Sequence, residues 1–398
     1  VLLDRSKTID KAVQLVEQAA LANAELIVFP DAFVSGYPAW IWRLRPGGDW
    51  DINESLYSRL LGSAVDIDAG DLGPLCEIAR KEKVTVVCGI NERDSKLSKA
   101  TLYNTAVIIG PGGDILNRHR KIMPTNPERM VWGFGDGAGL RVVDTPAGRI
   151  GTLLCWENYM PLARYTLYSQ GVEIYIAPTY DSGDGWIGTM QHIAREGRCW
   201  VICSGVALTN SDIPTDFPNR ETLYPASEEW INPGDSAVIA PGGEIIAGPM
   251  HREKGILYAT VDTERASVAK RDLDITGHYS RPDLFTLEVD TRAQSPVSYP
   301  STSSPVDFRI PRTVSWFILR PHSSRLLFAP RIQRPGDGCQ QGTNGCREQG
   351  FNRMTYQASY LILHGPKLRV GQGNLVFEVV QCNFAHLPDH LDLWSGFD

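Results

Sequence analysis

Short apolar segments alternate with stretches of helical periodicity from about residue 8 to residue 290, and this pattern constrains the fold most strongly. Residues 8 to 22 place apolar side chains at a helical spacing, and residues 24 to 29 follow as a buried strand. Residues 71 to 83 and 84 to 90 repeat the helix and strand pair. Consecutive units of this kind predict a layered α/β fold.

Hairpins interrupt the alternation. Residues 104 to 109 run into a Pro-Gly-Gly-Asp turn at residues 111 to 114, which predicts a hairpin at that point. Such hairpins among helix and strand units favour two sheets sandwiched between helices. Further helices are predicted at residues 161 to 170 and 186 to 197, and further strands at residues 149 to 154, 172 to 177, 200 to 204, 236 to 240 and 256 to 261.

Charge and hydropathy exclude several classes of partner. The formal net charge of -7 comes from mixed charges without a basic stripe, so no nucleic-acid partner is expected. No apolar run approaches the roughly 20 residues that span a bilayer, and no secretory leader is recognisable at the start, so we expect no membrane partner and a cytoplasmic location. The expected partner is a small molecule or another copy of the chain.

The eight cysteines lack the regular spacing of a disulfide framework. Cys339 and Cys346 have no partner pair at zinc-like spacing, so no metal site is predicted. Four cysteines lie in largely apolar stretches and are expected to be buried free thiols, namely Cys76, Cys88, Cys199 and Cys203.

The composition changes beyond about Pro296. The following residues contain nine Arg and one Lys and lack clear helix or strand alternation. We therefore predict one domain over residues 1 to 297 and a tail over residues 298 to 398. The tail is either a partner-binding extension or the product of a frame-shifted or readthrough translation, and the sequence leaves both open.

Three segments, each just after a predicted strand, supply two carboxylates, an ammonium and a thiol. They contain Asp31, then Lys121 with Glu128, then Cys155. Singly, such residues are usually a cap, a solvated face or a packed thiol. Together they match the needs of a thiol that attacks an electrophilic carbon: a base for its proton and a cation for the developing charge.

The run Cys-Trp-Glu-Asn-Tyr-Met-Pro at residues 155 to 161 resembles the nitrilase branch of the carbon-nitrogen hydrolase superfamily more than its amidases. The His-Arg-Lys segment at residues 119 to 121 and the Gly-His-Tyr segment at residues 277 to 279 also resemble nitrilase segments. The resemblance covers residues 1 to about 297. It implies a four-layer αββα sandwich, a homodimer built from such sandwiches, and spiral oligomers of those dimers.

The resemblance also assigns roles. It implies that Cys155 is the nucleophile, that Lys121 stabilises tetrahedral intermediates, that Asp31 is the general base, and that Glu128 positions the lysine and the thiol. The family's base is a Glu, whereas Asp31 is one methylene shorter. Because a base must come within about 2.6 to 3.2 Å of the donor atom, or reach it through one water, we expect this difference to lower the rate. No metal or organic cofactor is needed for this chemistry.

The start of the chain also differs from the family pattern. The family's opening strand normally precedes a segment like residues 1 to 6, and this sequence begins without it. We therefore expect an unpaired sheet edge, with lower stability and a greater tendency to associate.

Four aromatic residues are predicted to wall the substrate pocket: Trp156, Tyr159, Tyr180 and Trp186. The predicted reaction is hydrolysis of an organic nitrile to a carboxylic acid and ammonia through a thioimidate and a thioester. Three alternatives remain: hydration of cyanide or a nitrile that stops at formamide or an amide, amidase activity, and a weakly active or inactive filament-forming homologue in which Asp31 replaces the usual Glu.

Overall fold

The computed structural model describes residues 1–45, 47–96 and 98–297. The predicted tail, with Cys339 and Cys346, lies outside these residues. The helices are α1 (Arg5–Leu21), α2 (Trp50–Ser63), α3 (Gly73–Glu82), α4 (Pro161–Tyr168), α5 (Asp184–Gly197), α6 (Arg220–Leu223) and α7 (Thr263–Ala269). The strands are β1 (Leu26–Val28), β2 (Thr85–Arg93), β3 (Leu102–Ile109), β4 (Ile115–Arg120), β5 (Val143–Thr145), β6 (Gly148–Thr152), β7 (Ile174–Thr179), β8 (Trp200–Gly205), β9 (Ala207–Thr209), β10 (Trp230–Ile239) and β11 (Ile245–His251).

The first sheet has four strands in the order β1-β2-β3-β4. β1 runs parallel to β2 at the sheet edge, and β2, β3 and β4 follow as antiparallel neighbours. The predicted hairpin is confirmed, with Ile109 opposite Ile115 across the turn. α1 and α3 pack together on one face of this sheet, against Val86 and Cys88 of β2.

The second sheet follows the order β11-β10-β8-β7-β6-β5, with β9 paired to β10 beside this path. β6, β7 and β8 are parallel, and α4 and α5 form the crossovers between them. Alternation along β7 turns Tyr175 and Ala177 toward these two helices, while Ile174 and Ile176 face away from them.

An apolar layer joins the inner faces of the two sheets. Val87 and Ile108 from the first sheet lie in one cluster with Ile150, Ile174 and Ile176 from the second. Each fully buried aliphatic side chain contributes about 1.5–3 kcal/mol relative to exposure to water. The order of layers is therefore helices, sheet, sheet, helices, which confirms the predicted αββα sandwich.

One predicted strand is wrong. Residues 256 to 261 form no strand, although Leu257 and Val261 pack against Trp200 and Val238. An apolar run becomes a strand only where another backbone pairs with it, and the described residues offer none to this segment. The sequence pattern also missed α2, α6 and α7, and the strands β5, β9 and β11.

The prediction of buried free thiols is confirmed for three of the four cysteines named, and Cys76 is more exposed than predicted. Cys88, Cys199 and Cys203 are buried free thiols, and Cys76 is a half-buried one. In the part of the chain that the structure describes, no helix has the length and apolar character to cross a membrane.

Candidate active site

Asp31 follows β1, where the chain crosses close over β2. A Cβ atom on Gly89 would lie 2.4 Å from the carbonyl oxygen of Pro30 and 2.5 Å from the amide nitrogen of Ala32. Only a glycine therefore fits at this point of β2. Because Gly89 has no side chain, the segment that carries the fully buried Asp31 can cross β2 closely.

The Asp31 carboxylate is fully buried. Neither oxygen has a hydrogen-bond partner among the described residues. Burial raises the pKa of Asp31 to about 7, while Lys121 and the nearby side chain of Asn104 oppose this rise and Glu128 adds to it. A carboxylate with this pKa is suited to accept a proton near neutral pH.

Lys121 directly follows β4 on its buried face. Side chains alternate along this strand, so that His119 and Lys121 are fully buried while Arg118 and Arg120 lie on the other face. The Lys121 Nζ lies 2.6 Å from the Oε2 of Glu128. Burial lowers the pKa of Lys121, but the negative charges around it outweigh burial and leave the pKa above its ordinary value. The side chain is therefore an ammonium.

Glu128 lies in the 3₁₀ helix Asn126–Met130, and both of its oxygens are engaged. Oε2 accepts hydrogen bonds from Lys121 Nζ and, at 2.7 Å, from the amide of Thr125. Oε1 accepts from the Tyr37 hydroxyl at 2.7 Å, and that hydroxyl accepts from Trp42 Nε1 at 3.1 Å. A carboxylate with both oxygens bonded in this way holds the lysine in place.

Cys155 begins the 3₁₀ helix Cys155–Tyr159, shortly after β6 ends. Its φ of +50° is unusual for a residue with a side chain, and such strained residues concentrate at functional sites. The thiol is buried; burial raises its pKa to about 11, and Lys121 acts in the opposite direction. The side-chain amide of Asn158 supports this turn by donating from Nδ2 to the Cys155 carbonyl oxygen at 2.7 Å.

Two further buried residues lie at this site, and sequence reasoning assigned neither a role. The Oε2 of Glu157 is 2.9 Å from the Nε2 of His119, and both side chains are fully buried. A charged residue two positions after the candidate nucleophile is the signal that would have found Glu157. His119 belongs to the His-Arg-Lys segment quoted above, and the alternation of β4 is the signal that places it on the same face as Lys121.

Three of the four predicted pocket aromatics lie close to Cys155. A thiolate at Cys155 would raise the pKa of the nearby hydroxyls of Tyr159 and Tyr180. The ring of Tyr180 stacks on that of Tyr37, with 3.8 Å between the ring centroids. Trp156 is 45% exposed and donates from Nε1 to Asp181 Oδ2 at 2.8 Å.

The fourth aromatic, Trp186, is 1% exposed and belongs to the core beneath α5. Its ring meets the ring of Tyr159 edge to face at 6.2 Å. It therefore supports Tyr159 from behind and does not itself lie at the surface. Nowhere in the described part of the chain do three or more His, Cys, Asp or Glu side chains form a group that could hold a metal.

Comparison with known families decides the relationship. The family model for carbon-nitrogen hydrolases matches residues 1–271, which include every residue of the site. The chain belongs to the carbon-nitrogen hydrolase family. Within this family it falls in the nitrilase branch.

Two relatives illustrate the branch. This hydrolase is 40% identical over 309 residues to the bifunctional nitrilase/nitrile hydratase NIT4B of Nicotiana tabacum, covering 76% of this chain and 87% of the relative. It is 38% identical over 295 residues to the aliphatic nitrilase of Sinorhizobium fredii, covering 74% and 94%.

Solved structures agree on the fold. The carbon-nitrogen hydrolase from Helicobacter pylori G27 superposes with a TM-score of 0.55 at 22% identity, covering 71% of this hydrolase and 92% of that chain. Nit3 of Saccharomyces cerevisiae gives a TM-score of 0.51 at 20% identity, covering 69% and 91%. At these identities the likeness concerns the αββα architecture alone.

Proposed function

We propose that this hydrolase converts an organic nitrile and two molecules of water into a carboxylic acid and ammonia, with Cys155 as the nucleophile. The observation that carries the proposal is the contrast between two buried carboxylates beside one ammonium. Asp31 has both oxygens without hydrogen bonds and a pKa of about 7, whereas Glu128 has both oxygens committed. Environments that differ in this way separate a proton acceptor from a positioning group.

The first half of the reaction forms a thioimidate. Asp31 accepts the proton of the Cys155 thiol, directly or through one water, and the sulfur adds to the nitrile carbon. The same proton then passes to the nitrile nitrogen. Lys121 stabilises the thiolate and the negative charge that develops on the substrate.

The second half releases the two products. A water that gives its proton to Asp31 adds to the thioimidate carbon, and the tetrahedral adduct expels ammonia to leave a thioester. A second water attacks the thioester, so the acid leaves and the thiol is restored. Lys121 and the backbone N–H of Trp156 hold the oxyanion in both steps.

The aromatic residues give the site its selectivity. We assign the pocket wall to Trp156, Tyr159 and Tyr180, because two are exposed and the third stacks on Tyr37 beside Glu128. Trp186 acts indirectly, by fixing the ring of Tyr159.

Amide formation is a second outcome at the same site. If the tetrahedral adduct expels the Cys155 thiol instead of ammonia, one water is consumed and an amide is released. The relatives that are named bifunctional nitrilase/nitrile hydratase favour this branch as a side reaction.

Product analysis tests the proposal. The purified full chain is incubated with a panel of aliphatic, aromatic and arylacetonitriles, and ammonia, acid and amide are measured for each. We expect ammonia and acid in equal amounts from at least one nitrile, with amide as the minor product. An amide that is hydrolysed while every nitrile stays unchanged would instead support an amidase.

We also propose that copies of this hydrolase associate as homodimers and larger spiral oligomers, as the resemblance to nitrilases implies. Light scattering on the full chain would then return multiples of 44.1 kDa.

A further inference from the structure

The carboxylate of Glu157 connects the backbone next to Lys121 with the backbone next to Cys155. Its Oε1 accepts a hydrogen bond from the amide of Ile122 at 2.6 Å, and its Oε2 accepts from the amide of Leu154 at 2.7 Å. Ile122 directly follows Lys121, and Leu154 directly precedes Cys155. One side chain is therefore bonded to both neighbours of the proposed cation and nucleophile.

These neighbours belong to different sheets. Lys121 follows β4 of the first sheet, and Cys155 lies just beyond β6 of the second. The layer between the sheets is apolar and fixes their spacing only through non-directional packing. Hydrogen bonds to Glu157 add a directional link between the two sheets beside the reacting groups.

His119 completes the arrangement. Its Nε2 lies 2.9 Å and 3.1 Å from the two oxygens of Glu157, on the same face of β4 as Lys121. All these side chains are at most 1% exposed. Burial raises the pKa of Glu157, but His119 and the two backbone donors outweigh burial and hold the pKa below its ordinary value. The group is therefore an anion throughout the neutral range.

We propose that Glu157 is a positioning residue that fixes the Lys121 ammonium relative to the Cys155 sulfur across the two sheets, with His119 orienting the Glu157 carboxylate. The turnover part of this inference rests on the proposed nitrile hydrolysis. Its structural part does not, because the reactivity of the Cys155 thiol reports the same geometry without any nitrile.

The test variant is Glu157→Gln. Its amide nitrogen must face one of the two backbone N–H donors, so one hydrogen bond of the link is replaced by a repulsive contact. A displacement of about 1 Å near reacting groups costs roughly 100-fold in rate. We expect kcat to fall by about that factor while KM stays within about threefold, because the pocket aromatics are left in place.

Alkylation of Cys155 by iodoacetamide, followed by peptide mass analysis across a range of pH, separates positioning from direct charge effects. Removing a negative charge would by itself make the thiolate easier to form and shift the profile to lower pH. Moving Lys121 away from the sulfur shifts the profile to higher pH, because Lys121 lowers the pKa of Cys155. We expect the upward shift, and an unchanged or downward shift overturns the proposal.

Glu92→Gln is the matched control. Glu92 is a fully buried carboxylate bonded to Arg118 and Arg120 on the opposite face of β4, and to Thr105 of β3. The Glu92→Gln substitution weakens the contacts of β4 but leaves the hydrogen bond between Glu157 and the backbone N–H of Leu154 in place. Equal losses of kcat in the two variants, after correction for the folded fraction, would show a merely structural role.

A second pair of variants keeps the proposal testable if Glu157→Gln does not fold. His119→Gln retains a donor near the position of Nε2, whereas His119→Leu has none. We expect the Gln variant to keep the alkylation profile of the parent and the Leu variant to shift it to higher pH. Identical profiles in the two variants contradict the orienting role of His119.

Discussion

Two acidic residues at the site differ because of what surrounds them. Glu128 is bonded by Lys121, Thr125 and Tyr37, whereas the oxygens of Asp31 have no partner in the described part of the protein. The resemblance predicted which residues meet at the site. It did not predict this contrast, since hydrogen bonding and burial depend on how distant segments pack.

A stability experiment on Asp31 follows directly. The folded-state pKa of about 7 lies above the ordinary value of 3.8, so folding favours the protonated acid. The contribution of this group to stability is complete below about pH 4 and is lost as the pH rises through 7. The loss is on the order of 4 kcal/mol for a shift of about three pKa units.

We therefore expect Asp31→Asn to unfold at higher denaturant concentration than the parent at pH 8, by about 1–4 kcal/mol in the free energy of unfolding. The difference should shrink toward pH 4.5, where Asp31 in the folded parent is protonated and uncharged. Glu128→Gln is the control and should destabilise at both pH values. A less stable Asp31→Asn at pH 8 would refute the raised pKa of the buried Asp31 carboxylate.

Secondary structure elements that are encoded by local sequence pattern were predicted, whereas strand formation that depends on long-range pairing was not. The hairpin of β3 and β4, the helix α5 and the parallel strands β7 and β8 were predicted, because their periodicity and turns are encoded nearby in sequence. Residues 256 to 261 were assigned wrongly as a strand, since nothing local indicates whether a partner strand exists.

The close crossing at Gly89 predicts a specific sensitivity of β2. An added methyl group at Gly89 would meet backbone atoms at 2.4 and 2.5 Å, so the segment carrying Asp31 must move. We expect Gly89→Ala to lower the free energy of unfolding by 3 kcal/mol or more, roughly the upper range of single substitutions, and to reduce kcat. Urea denaturation and nitrile turnover measure both effects.

Gly62 in α2 provides the control for Gly89. A Cβ there has no atom within 4 Å, so Gly62→Ala should leave turnover unchanged and stabilise by up to about 1 kcal/mol. If Gly89→Ala is as stable and active as Gly62→Ala, the crossing does not fix the position of Asp31.

At the scale of the whole molecule, the core formed by the described residues falls within the range that the family model matches. The described core residues run from Leu2 to Ala266, and the family model matches residues 1–271. The predicted domain of residues 1 to 297 agrees with these limits, and its boundary stays a prediction. The layer order was predictable from helix and strand alternation, whereas the link through Glu157 was not.

A chain that stops after Val297 tests the domain boundary. Since the described core residues end at Ala266, we expect the unfolding midpoint of this shortened chain to stay within about 2 °C of the full chain and its turnover to be retained. Thermal unfolding by circular dichroism and ammonia release are the measurements. A fall of 10 °C or insoluble protein would show that residues 298 to 398 belong to the folded domain.

The most direct test of the proposed mechanism is ammonia release from the nitrile panel by the full chain, Cys155→Ala and Asp31→Glu under identical conditions. We predict release by the parent, none by Cys155→Ala, and release about tenfold faster or more by Asp31→Glu, because the longer side chain brings the base nearer the thiol. Undiminished release by Cys155→Ala, or no release by either the parent or Asp31→Glu, would contradict the proposed mechanism.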